Sequence, residues 1–394
     1  MSKLEHFRIL KSDDSGYRLF IILLTILIAV GYAAAHHMES HGHWVSGMNN
    51  QVVWGLPHVF AILLILSASG ALNIGSMSSV FGQSHYKSWS RFSGLLAIVL
   101  LVGGLIVLVL DLGRPERLVV AMTHYNFKSI FAWNIFLYSG FVAVVIVYLW
   151  VQFQRSLNHY VEPAGLFAFI WRFVLTSGTG GIFGFIVARE LYDSAMMIPV
   201  FIVLSLVLGT SVFLLVQRLT YRWSGVALET ETAGKLARLL GIFVALELFL
   251  VMAFNLTSLY SAEHQGVEWF ILSDGGLYTI LFWIGQVGFG GLVPLAVIYA
   301  GSPELSMRRI LVASGCAVVG AFAQLYVLIV GGQAYPQILF PGKTVQSSFY
   351  DGVVASYSPS IYELALGVGG VSLSMLGLFV LLRILPFLPD NRAG

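Results

Sequence analysis

Hydrophobic residues in this chain are grouped in long, charge-poor blocks separated by short polar connections. Ten blocks reach the roughly twenty residues that an α-helix needs to cross about 30 Å of hydrocarbon. They are Tyr17–Ala35, Val52–Gly75, Ser93–Leu112, Ile130–Gln152, Leu166–Val187, Met196–Gln217, Leu236–Leu256, Gly276–Ala300, Ile310–Gly331 and Ile361–Leu382. An even number of crossings returns both termini to one side. The first block follows Lys3, Arg8, Lys11 and Arg18, as a secretion signal would. It is too long for one, and His36-His37-Met38-Glu39 replaces the small-residue cleavage site, so it reads as a retained helix. The expected fold is all-α: a polytopic integral membrane protein of about ten transmembrane helices in two bundles, forming a single domain over residues 1–394.

Composition supports the membrane assignment. The 394 residues are 58% hydrophobic and 10% charged, whereas a soluble domain carries about 25% charged residues. A net charge of +2 gives no reason to expect a nucleic-acid partner. The lone cysteine, Cys316, excludes an internal disulfide, a Cys-ligated zinc and an iron–sulfur cluster held by this chain alone. Lys and Arg fix the orientation: fifteen lie in connections on the side of the termini and five on the other, which places both termini in the cytoplasm.

The outer side carries the longer connections, His36–Gln51, Gly113–Ser129, Thr257–Gly275 and Gly332–Ser360. The last holds Tyr335-Pro336 and Phe340-Pro341 and is too interrupted for a helix. Aromatic, weakly charged loops of this kind suit docking of another protein; the plainer alternative is ordinary interfacial aromatics. The glycine cluster Gly178–Gly184 lacks the register and the preceding strand of a nucleotide loop, so it reads as a close helix contact.

Chemistry concentrates at the end of the third block, in Asp111-Leu112-Gly113-Arg114-Pro115-Glu116-Arg117. Ionisable groups at a bilayer boundary are costly unless they have a task. Of ten histidines only His58 falls inside a predicted helix, which argues against a membrane haem with two axial histidines. Topology brings the start of helix two, the end of helix three and the start of helix four to one depth. His58, Asp111, Arg114, Trp133 and Asn134 are therefore the candidate site: hydrogen-bonding groups, a charge and an aromatic wall, as a quinone pocket requires. The alternative is an Asp111–Arg114 ion pair capping a helix, with His58 bonded to a backbone carbonyl. The loop set His36, His37, His41 and His43 is read as solvated rather than as a metal site, and no metal is expected. A second set comprises Arg172, Glu247 and Asn255, with Gln286 and Gln324. A lone carboxylate at the depth of Glu247 does not stay ionised without a cation such as Arg172. The two readings are a proton path and a buried structural ion pair.

Asp111–Arg117 resembles the DLGRP signature of the NrfD/polysulfide-reductase (PsrC) membrane-subunit family. Trp54-Gly-Leu-Pro-His58, Ser69-Gly-Ala-Leu-Asn73 and Tyr125–Asn134 resemble its ten-helix DsrP branch, the membrane subunits of a sulfite-reductase-associated complex. The resemblance implies a multi-pass subunit of the bacterial inner membrane that has no redox cofactor of its own. It implies menaquinone or ubiquinone as substrate, a periplasmic ferredoxin-like iron–sulfur partner, a further haem-containing membrane subunit and a multihaem cytochrome. The implied role is electron exchange between quinone and partner in dissimilatory sulfur metabolism, coupled or not to proton movement. The rival classes are a secondary transporter built on Glu247 and Arg172, and a passive membrane anchor.

Overall fold

The structure, a computed structural model, describes residues 7–225, 229–301, 304–337 and 352–390. Lys3, His6, Phe340, Pro341, Lys343 and Arg392 lie outside the described residues. Ten helices among the described residues are long and apolar enough to cross a membrane. They are α1 (Ser15–His41), α2 (Leu56–Ser79), α3 (Ser90–Leu110), α4 (Ile130–Phe153), α5 (Val161–Gly184), α6 (Met197–Ser224), α7 (Thr230–Tyr260), α8 (Leu277–Tyr299), α9 (Met307–Ala334) and α10 (Ile361–Ile384).

All ten predicted blocks are helices, but their ends move. The helix α7 runs past its apolar block at both ends and α1 continues to His41, so His36, His37 and His41 are helical rather than loop residues. Polar turns prolong a membrane helix readily once they reach headgroup or water. In contrast, α2 begins at Leu56 rather than Val52, because the backbone there is held by side chains from the end of α9 and from the connection before α10, and Pro57 occupies the first turn.

α2, α3, α4 and α5 pack as one four-helix group, α6 to α9 as a second, and α1 and α10 pair with each other against α2 and α3. The two groups meet where α2 crosses α6. There the backbones approach so closely that a Cβ on Gly209 would overlap the backbone of Gly70, a small-residue contact of the kind that packs helices in lipid. α2 is consequently the most enclosed span, with 94% of its apolar window buried. Parts of α8 and α9, Leu281–Leu292 and Val327–Gly331, are π-helical. The two ends of the described chain join: β1 (Phe7–Arg8) pairs antiparallel with β2 (Leu388–Pro389), which puts both on one face, the terminal face.

Candidate functional site

On the opposite face, α2 starts, α3 ends, α9 ends and α10 starts. The segment before α2 is pinned in an extended form. Gln333, at the end of α9, accepts from the backbone N–H groups of Val53 and Trp54 through Oε1 (2.9 and 3.0 Å) and donates through Nε2 to the Trp54 carbonyl (3.0 Å). Arg189 donates to the carbonyls of Gln333 and Gln51. Tyr357 accepts from Leu56 N–H and donates to Glu363 Oε1 at 2.6 Å. Glu363, fully buried in the first turn of α10, also accepts from the backbone N–H groups of Gly47 and Ser360. Four polar side chains, two from the helices α9 and α10 and two from connections, thus satisfy a backbone that neither helix nor sheet could serve.

This clamp places His58 in the first turn of α2, facing Asp111 at the C-cap of α3. His58 Nδ1 lies 2.9 Å from Asp111 Oδ2, and the Asp111 side chain is 1% exposed. On the other carboxylate oxygen, His43 Nε2 approaches to 4.0 Å, and both Asp111 Oδ1 and His43 Nε2 are buried without a hydrogen-bond partner. Gly113 lies against the His43 ring. The Trp54 indole stacks on His58 (centroids 5.7 Å, 21° between planes) and continues into an aromatic wall of Phe131, Phe183 and Tyr192.

Other candidates lie elsewhere. Arg114 is exposed and, among the described residues, forms no ion pair with Asp111; the histidines stand in its place. Trp133 is 45% exposed, bonded through Nε1 to the Phe127 carbonyl and packed on Phe127 and Phe136. Asn134 is buried, but its amide donates to the carbonyls of Ile130 and Gly178 and ties α4 to α5; its Oδ1 has no partner. His43 and Trp54 were missed by sequence reasoning. Nothing in the sequence separates His43 from its three neighbours, whereas Trp54 precedes His58 by four residues and could have been included. Of the remaining histidines, His37 stacks on Tyr362 and packs at a tilt against His41. Among the described residues no group of three or more His, Cys, Asp or Glu is placed to hold a metal ion.

The second set is divided. Gln324 donates to Glu247 Oε1 at 2.6 Å, while Oε2 is buried and unpartnered. Glu247, Gln286 and Gln324 border a cavity of about 20 Å³, enough for a single water. It adjoins another of about 50 Å³ that Gln286, Gln324 and Asn255 share. The Arg172–Glu247 ion pair, one of the two readings of this set, does not form among the described residues. Leu204 and Val207 of α6 border the Glu247 cavity, Leu206 borders a separate cleft that holds Arg172, and α6 stands between them. Outside the spans, burial pushes the Glu268 carboxyl up to about 8, with both its oxygens unpartnered. Burial likewise lowers Arg189.

Residues 44–337 match the polysulphide reductase NrfD family. The protein belongs to that family. Over 387 residues it is 28% identical to the Hdr-like menaquinol oxidoreductase integral membrane subunit of Archaeoglobus fulgidus, covering 98% of this sequence and 97% of that one. It is 24% identical over 407 residues to the menaquinone reductase integral membrane subunit of Nitratidesulfovibrio vulgaris (96% and 93% covered). It is 23% identical over 308 residues to the C subunit of the polysulfide reductase of Wolinella succinogenes (73% and 96% covered). The Wolinella relative therefore aligns with only part of the ten-helix length, whereas the archaeal relative aligns with nearly all of it. The His58–Asp111 pair lies inside the family match; His43 and Glu363 lie outside it.

Proposed function

We propose that this NrfD-family protein is the quinone-interacting membrane subunit of a multisubunit redox complex, exchanging electrons between the quinone pool and an iron–sulfur partner docked on the face opposite the termini. The observation that carries this reading is the buried carboxylate of Asp111 between His58 and His43, at the mouth of the helix groups and beside a stacked indole. Relatives named as menaquinol and menaquinone oxidoreductase subunits support it. In the finer form of the proposal, the face opposite the termini is periplasmic, as the Lys and Arg distribution favours, and the membrane is the bacterial inner membrane. The complex is of the DsrP type, serves dissimilatory sulfur metabolism and includes a haem-containing membrane subunit and a multihaem cytochrome.

On this proposal a quinol is handled by His58 and Asp111 together. A neutral His58 that donates Nδ1–H to Asp111 keeps Nε2 as an acceptor for a quinol O–H. Asp111 fixes that tautomer and stabilises the imidazolium formed when the proton arrives. His43, whose Nε2 stands 4.0 Å from the second carboxylate oxygen, closes that gap to pass a proton outward. Each quinol oxidised to quinone releases two protons by this route and two electrons to the partner; quinone reduction reverses every step. Trp54 forms the flat wall against which the ring lies. Asn134 and Trp133 act on the α4 side, one by holding α4 to α5 and the other at the lipid or partner boundary.

A second part of the proposal concerns protons from the terminal face. The unpartnered Glu247 Oε2, with Gln286, Gln324 and Asn255, supports a hydrated path through the second helix group. Arg172 stands outside that path. A secondary transporter is the competing use of the same residues. Purifying the complex with Asp111→Asn or His58→Ala and following quinol-linked reduction of the partner's clusters separates the readings: a transporter leaves that reaction untouched.

A further inference from the structure

The Arg172 side chain is the largest fully buried one among the described residues, at 1% exposure. Its Nε, Nη1 and Nη2 all lack hydrogen-bond partners. No carboxylate among the described residues lies within ion-pair distance of it. Its close company is aromatic: the guanidinium carbon lies 4.0 Å from the Phe173 ring centroid and 5.5 Å from that of Phe169. A buried guanidinium with five donors and no counter-charge is among the costliest arrangements in a membrane protein. The two rings offset only part of that cost.

Arg172 borders a cleft of about 540 Å³ between α2, α5, α6 and α7, with its three nitrogens themselves buried. Asn73 of α2 reaches the same space and is itself buried. The deeper wall is apolar, with Phe243 and Leu239 of α7 completing it beside the aromatic pair, while Gln83, His85 and Tyr86, from the connection between α2 and α3, line its polar part. At 1.5 Å per residue, Arg172 lies about 16 Å along α5 from its start on the terminal face, and Asn73 about 9 Å from the end of α2. The cleft thus runs from headgroup level well into the hydrocarbon. Lys235 stands at its rim but is paired with Glu231 at 2.9 Å, so the unneutralised cation is Arg172.

We infer that this cleft is a binding site for an anionic phospholipid, whose phosphate is held by Arg172 and Asn73 and whose acyl chains lie along the phenylalanine and leucine wall. The guanidinium fork matches a phosphate oxygen pair, and basic pockets between spans are where acidic lipids lodge. A neutral quinone would satisfy some donors but leave the charge uncompensated. The site is separate from the His58–Asp111 pair, which lies on the opposite face, and from the Glu247 cavity beyond α6.

The test uses the full-length protein in mild detergent. Native mass spectrometry should find phosphatidylglycerol or cardiolipin retained on the wild type and lost from Arg172→Gln. The unfolding temperature should rise on adding phosphatidylglycerol and not on adding phosphatidylcholine. Affinity in R172Q should be about tenfold weaker or worse, the scale of one lost charge-assisted hydrogen bond. If R172Q does not fold, Leu206→Trp, which fills the cleft from α6 and keeps the arginine, should also lose the lipid. The inference is overturned by lipid retention in both variants, by equal stabilisation from phosphatidylcholine, by stabilisation with inorganic phosphate alone, or by menaquinone displacing the lipid.

Discussion

His58 Nδ1 and Asp111 Oδ2 lie 2.9 Å apart across 53 residues of sequence, joining the first turn of one helix to the C-cap of another. Because one nitrogen of the imidazole is committed to the carboxylate, the other is left for substrate. Removing either partner disables the same unit. In the assembled complex His58→Ala should slow quinol-linked cluster reduction by about 10²-fold or more, and adding Asp111→Asn should cost little beyond that. A double-mutant cycle on the steady-state rate checks this; additive losses would mean that the two residues act independently.

Gln333→Ala tests the clamp beneath the site. Val53 and Trp54 N–H would lose their shared acceptor in a partly buried segment, costing about 1–3 kcal/mol of stability. On the proposal that Trp54 is the wall against which the quinol ring lies, the Michaelis constant for quinol should rise more than the turnover number falls. Thermal unfolding in detergent and quinol titration of the complex measure the two effects.

Glu268 makes stability depend on pH. Its carboxyl is buried in the short turn before α8, without hydrogen-bond partners, and is held up at about 8. The folded protein therefore binds a proton that the unfolded chain releases near 4.5. Folding stability should fall as pH rises from about 5 through about 8, since the folded state binds the extra proton across that window. Glu268→Gln should flatten the unfolding temperature over the same range; an unchanged slope would show that another group is responsible.

Glu247→Gln separates electron transfer from proton movement. With the carboxylate gone and the Gln324 contact retained in shape, quinol-linked reduction should continue at the wild-type rate. The charge moved across proteoliposome membranes per quinol should fall. Simultaneous loss of both would place Glu247 in the electron-transfer reaction itself.

The ten spans were legible because lipid admits only helices and closed barrels, and apolar runs of about twenty residues have the length of the helix, not of a barrel strand. The His58–Asp111 approach was legible too, since a helix that begins on one face and a helix that ends there must share a depth. What depth cannot supply is rotation about the helix axis. α4 is apolar on every side, so nothing in its pattern told that Asn134 turns inward while Trp133 turns out. The same blindness joined Arg172 to Glu247: both are charges inside spans, but α6 stands between them. Arg114 was expected to face Asp111 because it follows three residues later. The backbone turns at Gly113 and Pro115, however, and His43, brought in from the far end of α1, takes the place beside the carboxylate.

The most direct test is the rate at which quinol reduces the partner's iron–sulfur clusters in the purified complex carrying Asp111→Asn, compared with wild type at equal assembly. The account predicts a fall of about 10²-fold or more with the full set of subunits and clusters present. An undiminished rate in a normally assembled complex would contradict it and remove Asp111 from the quinone site.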